Sequence, residues 1–189
     1  MGIKIAIMFK EKLNSRLFLI LGVVVIAMIT RALTRNVEDL SNFTPLGAIF
    51  LFSGAYFSDK KFSFIVPMVA MFITDLFVGF HSTMPFVYGA FAISILIGFQ
   101  LRNVKEPKAI KIVGASLLGS VLFFLITNFG AWLAIDFYPK TIDGLSLAYV
   151  EGIPFFRNTI VGDLFYSSVF FGAFELAKRY DSKFDLALN

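Results

Sequence analysis

Six apolar stretches, residues 17–33, 43–57, 62–80, 85–101, 110–135 and 153–177, follow one another with polar breaks between them. Most come close to the ~20 residues that a helix needs to cross the hydrocarbon of a bilayer. None alternates polar and apolar residues with period two, so they read as helices rather than barrel strands. Helices also satisfy their own backbone in lipid, where water is absent. The composition agrees: 58% of residues are hydrophobic, 25 are phenylalanine, and 16% are charged, against about 25% charged in a soluble domain. The predicted fold class is an all-α integral membrane protein, a six-transmembrane-helix bundle forming one domain over residues 1–189.

The basic residues orient this bundle. With the N-terminus in the cytoplasm, the inner segments hold Lys4, Lys10, Lys12 and Arg16, then Lys60 and Lys61, then Arg102, Lys105, Lys108 and Lys111, and finally Lys178, Arg179 and Lys183. Of the 17 basic residues, Arg31, Arg35, Lys140 and Arg157 fall outside. This is the bias the positive-inside rule describes. Both termini are therefore expected in the cytoplasm, with residues 1–16 a lead-in and 178–189 a tail. MGIKIAIMFKEKLNSR shows no small-x-small cleavage pattern, so the first span is expected to be retained. The net charge of +4 follows from these loops and not from a nucleic-acid surface.

The second span is short. Pro45 suits the first turn of a helix, with Asn42 or Thr44 near its cap. The segment Asn42–Thr44 then lies below the outer surface as irregular backbone, which lipid tolerates only where protein or a wet cavity shelters it. Small residues at four-residue spacing, Ala90-Ser94-Gly98, Ala115-Gly119, Ser116-Ser120, Ser168-Gly172 and Ala173-Ala177, mark faces where helices approach closely.

The segment ITDLFVGFHSTMPFVYG places a carboxylate, Asp75, and the chain's single histidine, His81, within greasy sequence. On the expected topology both lie toward the outer side. So do Asn42, Thr44, Tyr88, Asn128, Trp132, Arg157, Asn158 and Asp163, which come from different helices. A mid-membrane carboxylate costs about 2.5–3.5 kcal/mol on insertion scales, so Asp75 and Asp163 should face the interior with partners. Arg157 is the candidate cation for either. These ten residues are the expected ligand-binding set; internal ion-pairing, helix capping by His81 and an interfacial aromatic belt are the structural readings beside it. No G-x-x-x-x-G-K-[ST] or G-x-S-x-G occurs. Gly162-Asp163 lacks the earlier glycine of intramembrane aspartyl proteases, since residue 160 is isoleucine. An enzyme is therefore not expected, and the absence of cysteine excludes thiolate chemistry and disulfides.

The stretches NFTPLGAIFLFSGAYF, TDLFVGFHSTMPFVYG, LFFLITNFGAWL, YPKTIDGL and IPFFRNTIVGDLFYS resemble a family of small bacterial inner-membrane proteins whose function is not established. The resemblance runs from Asn42 to Lys178. In size, six-helix layout and outward polar layer the chain is more loosely similar to substrate-binding S-components of energy-coupling-factor (ECF) transporters, the solitary cobalamin-binding ones above all. That likeness implies an S-component-like fold in the bacterial inner membrane and an outward-facing vitamin pocket. It also implies an ECF-type coupling protein and ATPases as partners. Two features depart from it. The alanine-x-x-x-alanine spacing is missing from the first span, occurring only at Ala173-Ala177, and no cysteine is available for cobalt. If the ligand is a corrinoid, His81 is the one side chain suited to the metal. The expected function is substrate binding for uptake of a small, vitamin-like micronutrient, cobalamin included as transported ligand and no resident cofactor. The other reading is a scaffolding membrane subunit whose polar layer is internal glue.

Overall fold

A computed structural model describes residues 41–57, 59–102 and 109–180, together with Gly22, Val25, Ile26, Ile29 and Thr30. Those five isolated residues have helical backbone; the rest of the expected first span, the lead-in expected in the cytoplasm and most of the C-terminal tail lie outside the described residues. Five further helices follow: α1 (Leu46–Tyr56), α2 (Lys60–Val78), α3 (Met84–Leu101), α4 (Ala109–Ala134) and α5 (Ile142–Tyr180). Among the described residues there is no strand. Helices α2, α3, α4 and α5 are each long and apolar enough to cross a bilayer. At 11 residues, α1 spans only about 16 Å.

Local chemistry sets the boundaries. Asp59 caps α2, its carboxylate accepting from the Lys61 N–H at 2.8 Å, as a short acidic side chain does before a first turn. Gly79 ends α2 at φ +103°, a value that disfavours any side chain, and its N–H returns to the Asp75 carbonyl. Pro85 sits in the first turn of α3, where its missing N–H leaves no bond unmade. Thr141 starts α5, its hydroxyl accepting from the Gly144 N–H at 3.2 Å, with Asp143 in the first turn.

This last cap corrects the expected sixth span. Residues 142–152 belong to the helix and are not part of a loop. They hold to the later turns of α4: the Tyr149 hydroxyl donates to the Leu125 carbonyl, and Gly152 abuts the Asn128 amide. Pro154 is carried inside α5 without ending it. The turn between α4 and α5 is tied down by Lys140, which donates to the Ile135 and Trp132 carbonyls, and by the Trp132 indole N–H, which donates to the Pro139 carbonyl at 2.9 Å.

Short α1 occupies the centre. It packs on all four other helices, most heavily on α3, and is buried nearly all round through Leu46, Ala48, Ile49, Phe50, Leu51, Ser53 and Gly54, as a uniformly apolar helix must be. Two aromatic groups fill the space around it. Phe50 stacks on Phe91 at 4.4 Å and Phe91 meets Phe123 at 4.8 Å; Phe52 meets Phe171 edge-on and Tyr56 lies 4.1 Å from Phe174. Where α1 crosses α3, Gly54 and Gly98 face each other so closely that a Cβ on either would strike a backbone carbonyl of the other helix. The stripe Ala90-Ser94-Gly98 is buried at this contact; Ser168, Gly172 and Ala173 face outward.

The surface is inverted relative to a water-soluble protein. Ile65, Val69, Phe72 and Leu76 form an exposed apolar stripe along α2, and Leu117, Val121, Leu125, Phe129 and Leu133 form another along α4. The buried positions include Ser53, Ser63, Thr74, Asp75, Ser94, Ser116, Ser120, Thr159, Asp163 and Ser167. Contiguous apolar stripes of this size suit lipid as solvent.

At the end of the bundle where α3 stops, Arg102 holds three elements. Its Nε donates to the Gly54 carbonyl at 2.6 Å, its Nη2 to Ser63 Oγ at 2.8 Å, and its guanidinium lies 4.4 Å from the Phe99 ring centroid. Burial pushes its pKa down, Asp59 opposes that shift, and the group stays charged. Placed at the C-terminus of α1, that charge meets the negative end of the helix dipole. The Gly98 contact yields a prediction with an internal control. Gly98→Ala should destabilise the detergent-purified protein by about 1–3 kcal/mol through overpacking. Gly114→Ala, at a position with open space around it, should be neutral or slightly stabilising. Thermal melting of the two variants side by side checks this.

Candidate functional site

The segment ahead of α1 does not reach the surface as helix. Asn42 takes φ +66°, a left-handed conformation that asparagine tolerates, and the Thr44 N–H returns to the Asn42 carbonyl at 2.9 Å. This irregular stretch is fixed to α5: Asn158 Nδ2 donates to the Ser41 carbonyl at 3.0 Å, and Phe43 packs on Phe165 and Tyr166. Gly162 lets the chain lie against α5, since a Cβ there would come within 3.3 Å of the Phe43 and Thr44 backbone. No side chain caps α1; the backbone geometry of residues 42–45 takes that place.

Below this stretch is a cavity of about 270 Å³. Every helix contributes to its wall: Leu46 and Gly47 from α1, Met71 from α2, Val87, Phe91 and Ser94 from α3, Gly119, Phe123 and Thr127 from α4, Thr159 and Asp163 from α5. Asn42, Thr44 and His81 complete it from the irregular segments. A second cavity of about 100 Å³ shares Asn42, Phe123, Thr127 and Thr159 as walls and adds Asn128 and Gly152.

Asp163 is the buried charge-bearing group of the larger cavity, 7% exposed. Its partner is a hydroxyl: Ser120 Oγ donates to Asp163 Oδ2 at 2.7 Å. Gly47 makes room for it, because a Cβ at that position would fall inside the carboxylate. Below Asp163 a file of serines continues between α4 and α5, with Ser167 Oγ donating to Ser116 Oγ at 3.4 Å. The wall hydroxyls donate to their own helices: Thr127 to the Phe123 carbonyl, Thr159 to Phe155 and Ser94 to Ala90.

The ten expected ligand-binding residues divide. Asn42, Thr44, His81 and Asp163 line the larger cavity, and Asn128 lines the smaller with Asn42. Asp75 and Tyr88 do not line either cavity; the Tyr88 hydroxyl donates to Asp75 Oδ2 at 2.8 Å, joining α2 to α3 with the carboxylate fully buried. Trp132 and Asn158 are engaged with backbone carbonyls, as described above. Arg157 lies exposed on α5, and the expected Arg157–Asp163 pair is replaced by Ser120–Asp163. His81 sits at the cavity wall with Nδ1 2.7 Å from Thr83 Oγ1. Among the described residues no group of three His, Cys, Asp or Glu side chains is placed to hold a metal ion. Sequence reasoning missed Gly47, Ser94, Ser120 and Thr159, small residues whose role depends on what faces them.

A family model matches residues 11–184, and the chain belongs to that family, described as a family of unknown function (DUF6580). No curated protein and no solved structure matches the chain.

Two substitutions separate the site from the scaffold. Gly47→Ala should displace the Asp163 carboxylate and lower stability by about 1–3 kcal/mol. Tyr88→Phe should lower stability by a similar amount, since it leaves Asp75 without that donor, yet it leaves the cavity wall intact. Melting temperatures combined with the ligand titrations described below test the contrast: only Gly47→Ala should also lose the ligand response.

Proposed function

From a family membership that carries no assigned activity, we propose that this protein binds a small polar micronutrient for uptake across the bacterial inner membrane. The observation that supports the reading is the cavity to which every described helix contributes, polar on Asn42, Thr44, His81, Thr127, Thr159 and Asp163 and apolar on Phe91, Phe123 and Val87. Small-molecule sites combine apolar walls with a few converging polar groups in this way. A protein that needed polar residues only to join helices would place them in tight contacts, as Tyr88–Asp75 and Arg102–Ser63 are placed, without leaving room between them.

In this proposal the first span joins α1–α5 to make six transmembrane helices. The Arg102 end, with Lys60 and Lys61, faces the cytoplasm, as do both termini. The cavity then opens outward. The chain has no catalytic part to play; an ECF-type coupling protein and ATPases supply the energy, and the fold is S-component-like. The size of the cavity, near the lower bound of about 300–1,000 Å³ for small-molecule sites, favours a compact solute. A corrinoid exceeds what it can enclose, so cobalamin would be confined to the mouth, where His81 is the side chain able to ligate cobalt.

Purified protein screened by thermal shift against vitamins and compact metabolites, cobalamin among them, tests the binding reading. A ligand at a hundredfold excess over its Kd should add about 2.7 kcal/mol of apparent stability. A flat response across the panel would instead favour a scaffolding subunit that has no ligand. A reporter fused after Lys183 should be active only in the cytoplasm; a periplasmic signal would reverse the orientation.

A further inference from the structure

We infer that the ligand of this cavity is a compact organic cation carrying N–H donors, a protonated primary or secondary amine; the inference rests on the binding reading above. Three features point the same way. First, Asp163 is a carboxylate in a lipid-facing bundle, and among the described residues its hydrogen-bond partner is one hydroxyl and no cation. Such a group gains most from a ligand that brings positive charge. Among the described residues no lysine or arginine lines the cavity, so an anionic ligand would find no counter-charge there.

Second, the hydroxyls that the helices at Ser94, Ser120, Thr127 and Thr159 bring to the cavity share one hydrogen-bonding sense, beside the Asn42 amide and Thr44 hydroxyl, which keep donors of their own. A hydroxyl has one proton and two acceptor lone pairs. Thr127, Thr159 and Ser94 each give that proton to a carbonyl of their own helix, and the Ser120 proton is shared between Asp163 at 2.7 Å and the Ser116 carbonyl at 3.0 Å. What these four hydroxyls have left to offer is acceptor capacity. An ammonium group has donors and no acceptors, which is the complement. Third, Phe123 and Phe91, the latter stacked on Phe50, line the same space, and aromatic rings attract cations, more so when desolvated. An inorganic cation fits less well. Magnesium and calcium need six or more oxygens converging at about 2.0–2.6 Å, whereas half of this wall is carbon and the cavity is about 270 Å³.

Matched probes on the wild-type protein decide the question without any variant: propylamine against 1-propanol, ethylenediamine against ethylene glycol, and propionate as the anionic counterpart. Choline, charged but without an N–H on nitrogen, isolates the role of the donors. Sodium, potassium and magnesium chlorides form the inorganic arm. The expected result is stabilisation by the amines at concentrations about tenfold or more below those of their neutral partners, as for a hydrogen bond to a charged group. Choline should lie between the two. Asp163→Asn, which keeps an acceptor for Ser120, should erase the difference between amine and alcohol while preserving the melting behaviour of the unliganded protein; if that variant fails to fold, the wild-type ranking alone decides. Equal or better stabilisation by alcohols, by propionate or by the inorganic salts overturns the cation assignment and leaves the binding reading standing. No stabilisation by any probe, together with a flat vitamin and metabolite panel, overturns both.

Discussion

The length of α1 is the constraint on which the rest of the structure depends. A helix of 11 residues cannot span the hydrocarbon, yet α1 is the rod that the other four helices surround. Backbone that leaves a helix at depth must find its hydrogen bonds from protein. Here Asn42 turns left-handed, Thr44 bonds back to it, and Asn158 holds the Ser41 carbonyl. Beside the first turn of α1, Gly47, Asp163 and Ser120 meet. The cavity lies against the start of this central helix and the irregular segment before it, and its other walls belong to helices that carry exposed apolar stripes.

At the opposite end the same helix is closed by charge. Arg102 satisfies the Gly54 carbonyl at the last turn of α1 and ties it to Ser63. One terminus of α1 is therefore fixed by a guanidinium, and the other by a bent peptide segment without a side-chain cap. Gly54 and Gly98 set the distance between α1 and α3 from within, and two aromatic clusters fill what that spacing leaves. Side-chain hydrogen bonds close α1 at one end of the molecule and irregular backbone precedes it at the other.

Much of this was legible in the residues. Apolar length alone places α1 to α4 within about three residues of their observed ends, because a lipid-crossing helix announces itself by hydrophobicity. The start of α5 was not legible. Residues 142–152 mix Asp143, Ser146 and Glu151 with apolar residues and carry glycine at 144 and 152, so they read as a loop; they begin at a threonine cap and contact α4, and contact is not a property of one segment. The same distinction divides the site. Charged and aromatic residues stood out against a greasy background, and Asp163 and His81 do face the cavity. Asp75 stood out as clearly and is consumed by Tyr88. Ser94 and Ser120 stood out only as helix-packing positions and Thr159 not at all, because small hydroxyl residues are common in helix-packing faces whether or not a cavity lies beside them. Periodicity reports which residues share a helix; it does not report which helix they face.

One consequence follows for observing the molecule. The chain has a single tryptophan, and its indole is hydrogen-bonded to Pro139 in the turn that precedes α5. Lys140 binds the same turn. The protein therefore carries a native fluorophore at one defined place, and the emission of that indole reports whether this corner is held or released. With no cysteine in the sequence, a thiol introduced anywhere else would be unique, so a second dye could be attached without first removing anything.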